Sequence, residues 1–378
     1  MNFQRPGSLT VQRVETEAIR VPLDQVYRGS KYKMGNRCTI ITRIYTHQGI
    51  IGEVYTGDTD EEQPVIRKII HDELAPAIEG MDVFGIEACW EAMKPATYDI
   101  LRDRNMVMQA ISAVDAALWD TIGKALEMPL YRLWGGGNNR LPIIAIGGYY
   151  GQTDQELAQE IESYLGYELI GMKFKIGGAT PKEDLRRLQI AIQTAGQDFR
   201  FMVDANQGYT LREAVEFVRL AQNAGITLNW FEEPVRWYND RRWLKDVRMM
   251  TGVPVTAGQS AYSLDSVRDL IVDGAIDYCN FDASWAGGPT IWRKAAAIAY
   301  AYGVTMAHHE EAQIASHLLA AAANASYVEC FHRNRDPIFW TIQVEPPNIK
   351  EGYYTISDRP GFGIQLDRDF VNHYHVDD

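Results

Sequence analysis

The repetition of strand-then-helix units after Gly137 limits the possible folds of this chain most strongly. Short apolar runs with strand character alternate there with segments of helical periodicity, in units of roughly 20–30 residues. About eight such units favour a parallel (β/α) barrel of the TIM type over the alternative, an open doubly wound sheet. The predicted strands are residues 141–146, 169–176, 201–204, 228–232, 255–258, 278–281, 304–307 and 327–329.

The first part of the chain is organised differently. Strand-like segments occur between residues 9 and 55, with a polar segment at 24–36 that we interpret as a loop, and helical periodicity then continues to residue 124. Strands followed by helices predict an α+β domain at 1–137 that precedes a barrel domain at 138–342. The turn-rich tail, 343–378, is expected to pack back on the N-terminal domain.

Charge and cysteine content exclude several classes of protein. The net charge of −13 argues against nucleic-acid binding, which needs a basic surface. The four cysteines are scattered without a CxxC pair, which is typical of a reducing compartment. Residues 1–10 contain no apolar signal segment, and no apolar run is long enough to span a bilayer. We therefore expect a cytoplasmic protein that contacts neither membrane nor nucleic acid.

Polar residues occur at the carboxyl ends of the predicted barrel strands. In a parallel barrel these ends open onto one face, where active sites form. Scattered surface residues would not keep this register, so we expect one site that contains most of them. In chain order the candidates are Lys173, Lys175, Asp204, Asn206, Glu232, Gln259, Asp282, His309 and Glu329.

Two of these residues predict a metal site. Asp204 and Glu232 are oxygen ligands on adjacent strands, and a hard cation such as Mg²⁺ takes few carboxylates together with substrate oxygens. Gln259 would add a neutral oxygen on the next strand. Zinc is disfavoured, because the segment that begins at His309 carries Gln313 where a His-Glu-x-x-His motif needs its second histidine.

Lysine and histidine side chains predict acid–base chemistry beside that metal. Lys173 and Lys175 point to the same face of their strand, because side chains alternate along a strand. A nearby divalent cation lowers the pKa of Lys175, and a neutral lysine is a general base. His309 is expected across the barrel as a second acid or base, with Asp282 fixing its tautomer.

Several motifs together carry a resemblance to a known family. The N-terminal domain contains Ala113-Val114-Asp115-Ala116-Ala117-Leu118-Trp119-Asp120, Gly123-Lys124, Pro129 and Leu133-Trp134-Gly135-Gly136. The barrel contains Lys173-Phe174-Lys175, Val203-Asp204-Ala205-Asn206, Glu232-Glu233-Pro234, Asp282 before Gly287-Gly288, and His309 before His317-Leu318-Leu319. Each motif alone is weak, but their order and spacing are specific. The chain resembles the enolase superfamily, and its mandelate racemase subgroup most closely.

The resemblance implies a capping α+β domain over a modified TIM barrel, with the C-terminal tail completing the cap. It implies Mg²⁺ held by Asp204, Glu232 and Gln259, and abstraction of the proton α to a carboxylate to give an enediolate. Gln259 departs from the carboxylate that is usual at its position. Homo-oligomers are common in the family, so we expect one here.

The resemblance also implies a role for each catalytic candidate. Lys175 would be one base, with Lys173 steadying the substrate carboxylate. The Asp282–His309 pair would be the other acid or base. Glu329, in its protonated form, would hydrogen-bond the second carboxylate oxygen.

The polar segment of the cap indicates the substrate. Tyr27, Arg28, Lys31 and Lys33 suit a small polyhydroxy carboxylate, although they could instead only solvate a loop tip. We therefore expect a hydro-lyase that dehydrates an acid sugar, an aldonate or aldarate, to a 2-keto-3-deoxy acid. The alternatives are a racemase or epimerase of a 2-hydroxy acid that uses the same two bases, and an inactive sugar-acid binding protein.

Overall fold

A four-stranded antiparallel sheet forms one layer of the N-terminal domain. The computed structural model describes residues 8–196, 198–238 and 240–376, so most of the segment considered for a signal lies outside the described residues. The strands are β1 (Val11–Arg28), β2 (Lys33–Thr46), β3 (Ile51–Thr56) and, from the other end of the chain, β14 (His375–Val376). Their order is β14-β1-β2-β3, so the tail completes the sheet of the capping domain.

The polar segment 24–36 is not a loop, and that prediction is wrong. β1 and β2 form one long hairpin in which Arg28 is paired with Lys33, and only residues 29–32 connect the strands. Tyr27 is buried while its neighbour Arg28 is exposed, as expected for a strand with one packed face and one solvated face. The polar alternation therefore reflects a half-buried hairpin.

A buried helix, α4 (Arg104–Ala125), joins the cap to the rest of the molecule. The carboxylate of Asp115 accepts hydrogen bonds from the backbone N–H (2.9 Å) and hydroxyl (2.7 Å) of Thr290 in the barrel. Asp120 accepts backbone hydrogen bonds from Glu53 and Phe362, both at 2.8 Å. Because buried carboxylates need such partners, α4 fixes the cap sheet, barrel and tail together. The remaining cap helices are α1 (Gln63–Ile69), α2 (Ala75–Ile78), α3 (Ile86–Met93) and α5 (Leu130–Leu133), with a π-helical segment at Ile70–Leu74.

The second domain is a closed parallel barrel, which excludes the open doubly wound sheet. Consecutive barrel strands are paired from β4 to β10, and β11 is paired with β4. Backbone bonds from Met306 to Asn324 and from Ser326 to Met306 close the remaining gap. The strands are β4 (Arg140–Gly147), β5 (Gly171–Lys175), β6 (Arg200–Asp204), β7 (Phe231–Glu232), β8 (Val255–Ala257), β9 (Tyr278–Cys279), β10 (Thr305–Met306) and β11 (Val328–Phe331).

In the described part of the chain, seven helices alternate with these strands and cover the barrel. They are α6 (Asp154–Gly166), α7 (Pro181–Ala195), α8 (Leu211–Asn223), α9 (Arg242–Thr251), α10 (Leu264–Val272), α11 (Gly288–Ala301) and α12 (Ala312–Ala321). The chain then continues through α13 (Pro337–Thr341), β12 (Ile349–Lys350), β13 (Tyr353–Thr355) and α14 (Arg368–His373). β13 pairs with β4, so the tail contacts the barrel before it reaches the cap. None of the helices described is both long and apolar enough to cross a membrane.

Candidate active site

Three short ion pairs lie inside the mouth of the barrel. Lys173 Nζ is 2.7 Å from both Glu232 Oε1 and Glu329 Oε1, and Lys175 Nζ is 2.7 Å from Asp204 Oδ2. All five side chains are buried. The alternation along β5 turns both lysines to the barrel interior, so the predicted clustering of these residues is present.

Burial and opposite charge set the protonation of this group. Burial opposes the ammonium form of Lys175, yet the charge of Asp204 outweighs it and holds the pKa of Lys175 well above its usual value. Burial likewise opposes the charged form of Asp204, and Lys175 keeps the pKa of that carboxyl below its usual value. Burial raises the pKa of Glu232 to about 8, although Lys173 acts in the opposite direction. The protein groups alone therefore hold Lys175 as a cation. The lowered pKa of Lys175 that the sequence predicts requires a bound metal beside it.

The backbone around this group is strained at several non-glycine residues. Asn206 has φ of 41°, and its side chain contacts both Lys175 (3.1 Å) and Asp204 (3.1 Å). Positive φ values also occur at Gln207, Glu233, Glu310 and Glu311, all of which follow barrel strands. Such conformations are uncommon for residues with a Cβ, and they concentrate at functional sites.

The donor set suits a hard divalent cation. Oε2 of Glu232 is buried and has no hydrogen-bond partner among the described residues, so it is free to bind a cation. Gln259 follows Gly258, whose φ of 143° favours glycine, and Asn280 Nδ2 donates to Gln259 Oε1 over 3.2 Å. Asp204, Glu232 and an amide oxygen form an all-oxygen set of the kind that Mg²⁺ uses.

The described residues contain no histidine- or cysteine-rich metal cluster. No cluster of three or more His, Cys, Asp or Glu side chains in the described part of the chain is placed to hold a metal. His308 is buried and already bonded: the Ala283 backbone N–H donates to Nε2 (3.0 Å), and Nδ1 lies 2.8 Å from the carbonyl oxygen of His309. Its role is to hold the neighbouring loop, as burial and two partners indicate.

His309 lies between two carboxylates. Its Nδ1 is 2.9 Å from Asp282 Oδ2, as the sequence predicted, and its Nε2 is 3.2 Å from Glu310 Oε1. Burial disfavours the imidazolium, but Glu310 and Asp282 together raise the pKa of His309 well above its usual value. The half-buried ring of Trp285 lies 5.1 Å from the imidazole ring. These contacts fix the position of His309 and favour its protonated form.

The β1–β2 hairpin covers the mouth of the barrel. Tyr27 packs edge-on against Tyr149, the Ser30 hydroxyl donates to the Ala205 carbonyl over 2.7 Å, and the Tyr32 ring lies 5.7 Å from Lys175 Nζ. The other predicted substrate contacts in the hairpin, Arg28, Lys31 and Lys33, are exposed. No contact in the described chain joins them to the buried Lys173 and Lys175.

Sequence reasoning missed several residues that reach the site. Glu310 directly follows His309, and Tyr149 follows the first barrel strand, but neither is the last residue of a strand. Arg335 follows the eighth strand in the same way. Arg37 on β2 pairs with Glu311 and Asp336 of the barrel, both at 3.1 Å. A search of the first residues beyond each strand end would have found the barrel members of this set.

Two family models match the chain. The model described as "Mandelate racemase / muconate lactonizing enzyme, N-terminal domain" matches residues 10–135, and the model described as "Enolase C-terminal domain-like" matches residues 156–370. Together they cover most of the chain and both of its structural layers.

Individual proteins give the same relationship. Arabinonate dehydratase of Saccharolobus solfataricus is 32% identical over 86% of this chain and 88% of its own length. The 3,6-anhydro-alpha-L-galactonate cycloisomerase of Streptomyces coelicolor is 27% identical over 94% and 97% of the two chains. A mandelate racemase/muconate lactonizing enzyme from a marine actinobacterium, solved in complex with magnesium, is 47% identical, covers 98% and 100% of the two chains, and superposes with a TM-score of 0.91.

Proposed function

This chain belongs to the mandelate racemase/muconate lactonizing enzyme family of the enolase superfamily, and we propose that it dehydrates an acid sugar to a 2-keto-3-deoxy acid. The observation that carries the proposal is the pair Lys175 and His309. Lys175 is the last residue of the second barrel strand, and His309 lies just beyond the seventh. Both side chains are buried at the mouth of the barrel. A proton can thus be removed at one carbon while another is supplied to a neighbouring oxygen.

Mg²⁺ is the cofactor of this proposal. Asp204, Glu232 and Gln259 would hold it, and the magnesium complex of the marine actinobacterial relative supports this choice. When bound, Mg²⁺ supplies positive charge against the substrate carboxylate, which favours the enediolate that forms when the α-proton leaves. Oε2 of Glu232 has no hydrogen-bond partner among the described residues, and Oε1 of Gln259, which accepts one hydrogen bond from Asn280, keeps a second lone pair for the cation.

The residues of the chain divide the proton transfers between them. Lys175 would remove the α-proton in its neutral form, which the positive charge of bound Mg²⁺ would favour over the cation that Asp204 stabilises, and Lys173 donates to the substrate carboxylate. Glu329, which accepts the Glu310 backbone N–H at 3.1 Å, would in its protonated form donate a hydrogen bond to the second carboxylate oxygen. His309 gives its proton to the departing β-hydroxyl, which leaves as water. The raised pKa of His309 supports this acid role, since the imidazolium is the donor that the step requires.

Dehydration is favoured over the alternatives by the resting state of His309. A racemase alternates its two bases between proton acceptor and donor, whereas two carboxylates around His309 bias it toward the donor form. The arabinonate dehydratase relative supports a hydro-lyase. The cycloisomerase relative supports an acid-sugar substrate, although its reaction is of another type. Lys175, His309 and Glu329 are all present, which argues against an inactive binding protein.

The hairpin of the cap supplies the cover of the site in this proposal. Tyr27 and Tyr32 face the barrel, whereas Arg28, Lys31 and Lys33 would contact only a substrate that extends to the rim. The domain limits at 137 and 342, the homo-oligomer and the cytoplasmic location stay predictions.

Product analysis tests the proposed function. The Mg²⁺-loaded protein is incubated in D₂O with a stereochemically complete panel of aldonates and aldarates, and proton NMR follows the α- and β-positions. Loss of the β-hydroxyl with a new 2-keto-3-deoxy product supports dehydration and names the substrate. Entry of deuterium at the α-carbon without loss of water would replace the proposal by a racemase or epimerase.

A further inference from the structure

Arg335 is a buried cation that forms no ion pair with any of the described residues. Its side chain is 1% exposed, and neither Nε nor Nη1 has a hydrogen-bond partner among the described residues. The guanidinium carbon lies 4.1 Å from the centre of the Phe331 ring and 5.9 Å from that of Tyr149. A buried guanidinium keeps its charge, so it needs an anion or strong acceptors, and the described residues provide no carboxylate within ion-pair distance.

Arg37 is a second buried arginine, and it differs from Arg335 in having two carboxylate partners. It is also almost fully buried, yet its guanidinium lies 3.1 Å from carboxylate oxygens of both Glu311 and Asp336. These two carboxylates are therefore already committed to a cation. Glu310, the acidic residue next to Glu311, forms its ion pair with His309 instead. No carboxylate of the site is left within ion-pair distance of Arg335 in the described chain.

The Tyr149 hydroxyl is a second unused donor beside Arg335. It is buried and has no hydrogen-bond partner in the described part of the molecule. Burial raises the pKa of Tyr149 well above its usual value, while the charges of Arg335 and Lys175 act in the opposite direction. Tyr149 follows the first barrel strand and Arg335 the eighth, and these two strands are paired. The donors thus lie together on one side of the mouth.

A cavity of about 270 Å³ is lined by these two residues and by part of the β1–β2 hairpin. Its wall includes Tyr27, Gln152 and Glu160. Glu160 forms no ion pair with Arg335 in the described part of the chain, and its carboxylate instead accepts hydrogen bonds from Gly148 N–H, Gln152 and the Tyr164 hydroxyl, at 3.1, 2.7 and 2.6 Å. The space therefore offers a positive charge and a hydroxyl donor to a small anion.

We propose that Arg335 and Tyr149 bind a second carboxylate, at the far end of the substrate, so that the enzyme acts on diacid sugars in preference to monoacid sugars. The inference rests on the proposed function for the position of the reacting carboxylate near Lys173 and Lys175. A planar guanidinium with free donors binds a carboxylate strongly. The neutral terminal hydroxymethyl group of an aldonate leaves the same buried charge uncompensated, so it binds less well.

Matched substrates and variants test this inference. The Mg²⁺-loaded protein is given aldonate–aldarate pairs that share their stereochemistry and differ only in the terminal group. We expect kcat/KM to favour the diacid by about 10²-fold, and Arg335→Met to remove about that factor for the diacid alone, mostly through KM. Arg333→Met is the control, because Arg333 is exposed and stacks on Trp340 outside this cavity. It should keep the wild-type preference.

Two further readouts separate a binding role from a structural one. Calorimetry of diacid and monoacid binding to the same Mg²⁺-loaded proteins needs no turnover, so it tests the subsite even if the proposed reaction is wrong. Thermal unfolding without substrate should show Arg335→Met as stable as the wild type or more stable, because the variant loses an unpaired buried charge.

The outcomes are unambiguous. Preferential binding of the diacid that Arg335→Met abolishes and Arg335→Lys partly retains supports the subsite. Equal binding of both acids by the wild type, or an equal loss for both acids in a destabilised Arg335→Met, overturns it. Tyr149→Phe should weaken diacid binding less than Arg335→Met does, since it removes a neutral donor.

Discussion

Oε1 of Glu310 lies 3.2 Å from Nε2 of His309, the ring nitrogen opposite the one that contacts Asp282. An acid held between two carboxylates stays protonated to higher pH, because each carboxylate stabilises the imidazolium. Glu310 itself is buried, and although burial opposes its charge, His309 keeps the pKa of Glu310 below its usual value. The two side chains therefore act as one ion pair inside the site.

Glu310→Gln should lower the pKa of His309. The amide keeps the size of the side chain but removes the negative charge that stabilises the imidazolium, so the proton leaves at lower pH. If His309 acts as the acid, the alkaline limb of the pH–rate profile moves to lower pH in the variant. The shift is measured from kcat/KM against pH, with the exposed Glu345→Gln as control. An unchanged alkaline limb would mean that Glu310 does not set the charge of His309.

Gln259→Glu should tighten Mg²⁺ binding. A third carboxylate beside Asp204 and Glu232 adds one negative charge, and cation affinity follows the charge of the ligands. We expect Kd to fall by about tenfold, whereas Gln259→Met, which lacks the amide oxygen, should weaken binding. Calorimetric titration with Mg²⁺ measures both. Equal affinities in all three proteins would show that residue 259 is not a ligand.

The stability of the fold should fall in acid through His317. This histidine accepts the Tyr131 backbone N–H at Nδ1 and contacts the Phe362 carbonyl through Nε2, both at 3.1 Å, and burial lowers its pKa from 6.5 to about 3. Between these pH values the unfolded chain binds a proton that the folded chain refuses, so stability rises with pH up to about 6.5 and is lost below it. The loss from pH 7 to pH 5 is about 2 kcal/mol.

Urea unfolding of His317→Gln at both pH values checks this linkage. The variant is expected to be less stable at pH 7, because a packed ring is replaced, but its pH dependence should be smaller by about 2 kcal/mol. His47→Gln, at an exposed position, should keep the wild-type dependence. The assignment fails if His317→Gln and the wild type lose equal stability on acidification.

Arg37 should be essential for docking the cap onto the barrel. It lies on β2, and its two carboxylate partners, Glu311 and Asp336, belong to the barrel. Arg37→Met leaves two buried acids without their cation, which costs about 3–5 kcal/mol of folding free energy. Denaturant unfolding measures the loss. Adding Glu311→Gln should recover part of it, and a double variant no more stable than Arg37→Met would contradict the coupling.

The residues at the strand ends could be predicted because the barrel imposes a register. Lys173 and Lys175 alternate onto the interior face of β5, and Asp204 ends the next strand, so their meeting follows from strand geometry alone. Strand geometry does not predict that Glu310 or Arg335 lies in the site. Glu310 follows His309 in a backbone conformation with positive φ, and Arg335 lies in a loop, so neither direction is set by a repeating geometry.

Contacts between domains were also beyond the sequence. Arg37 reads as one polar residue of a strand, and its partners become apparent only when the cap lies on the barrel. The prediction of a loop at 24–36 fails for a related reason. Its polar residues, Arg28 and Lys33 among them, are the solvated face of paired strands whose other face covers the barrel, and a single strand pattern does not reveal what lies beneath it.

The most direct test of the proposed mechanism compares the separate roles of Lys175 and His309. With the substrate found in the panel, Lys175→Met and His309→Asn are compared with the wild type in D₂O for product formation and for deuterium entry at the α-carbon. We predict that each variant loses about 10²–10⁴-fold in kcat, and that α-exchange disappears in Lys175→Met but persists in His309→Asn without loss of water. Turnover near the wild-type rate in both variants would contradict the assignment of Lys175 as the base and His309 as the acid.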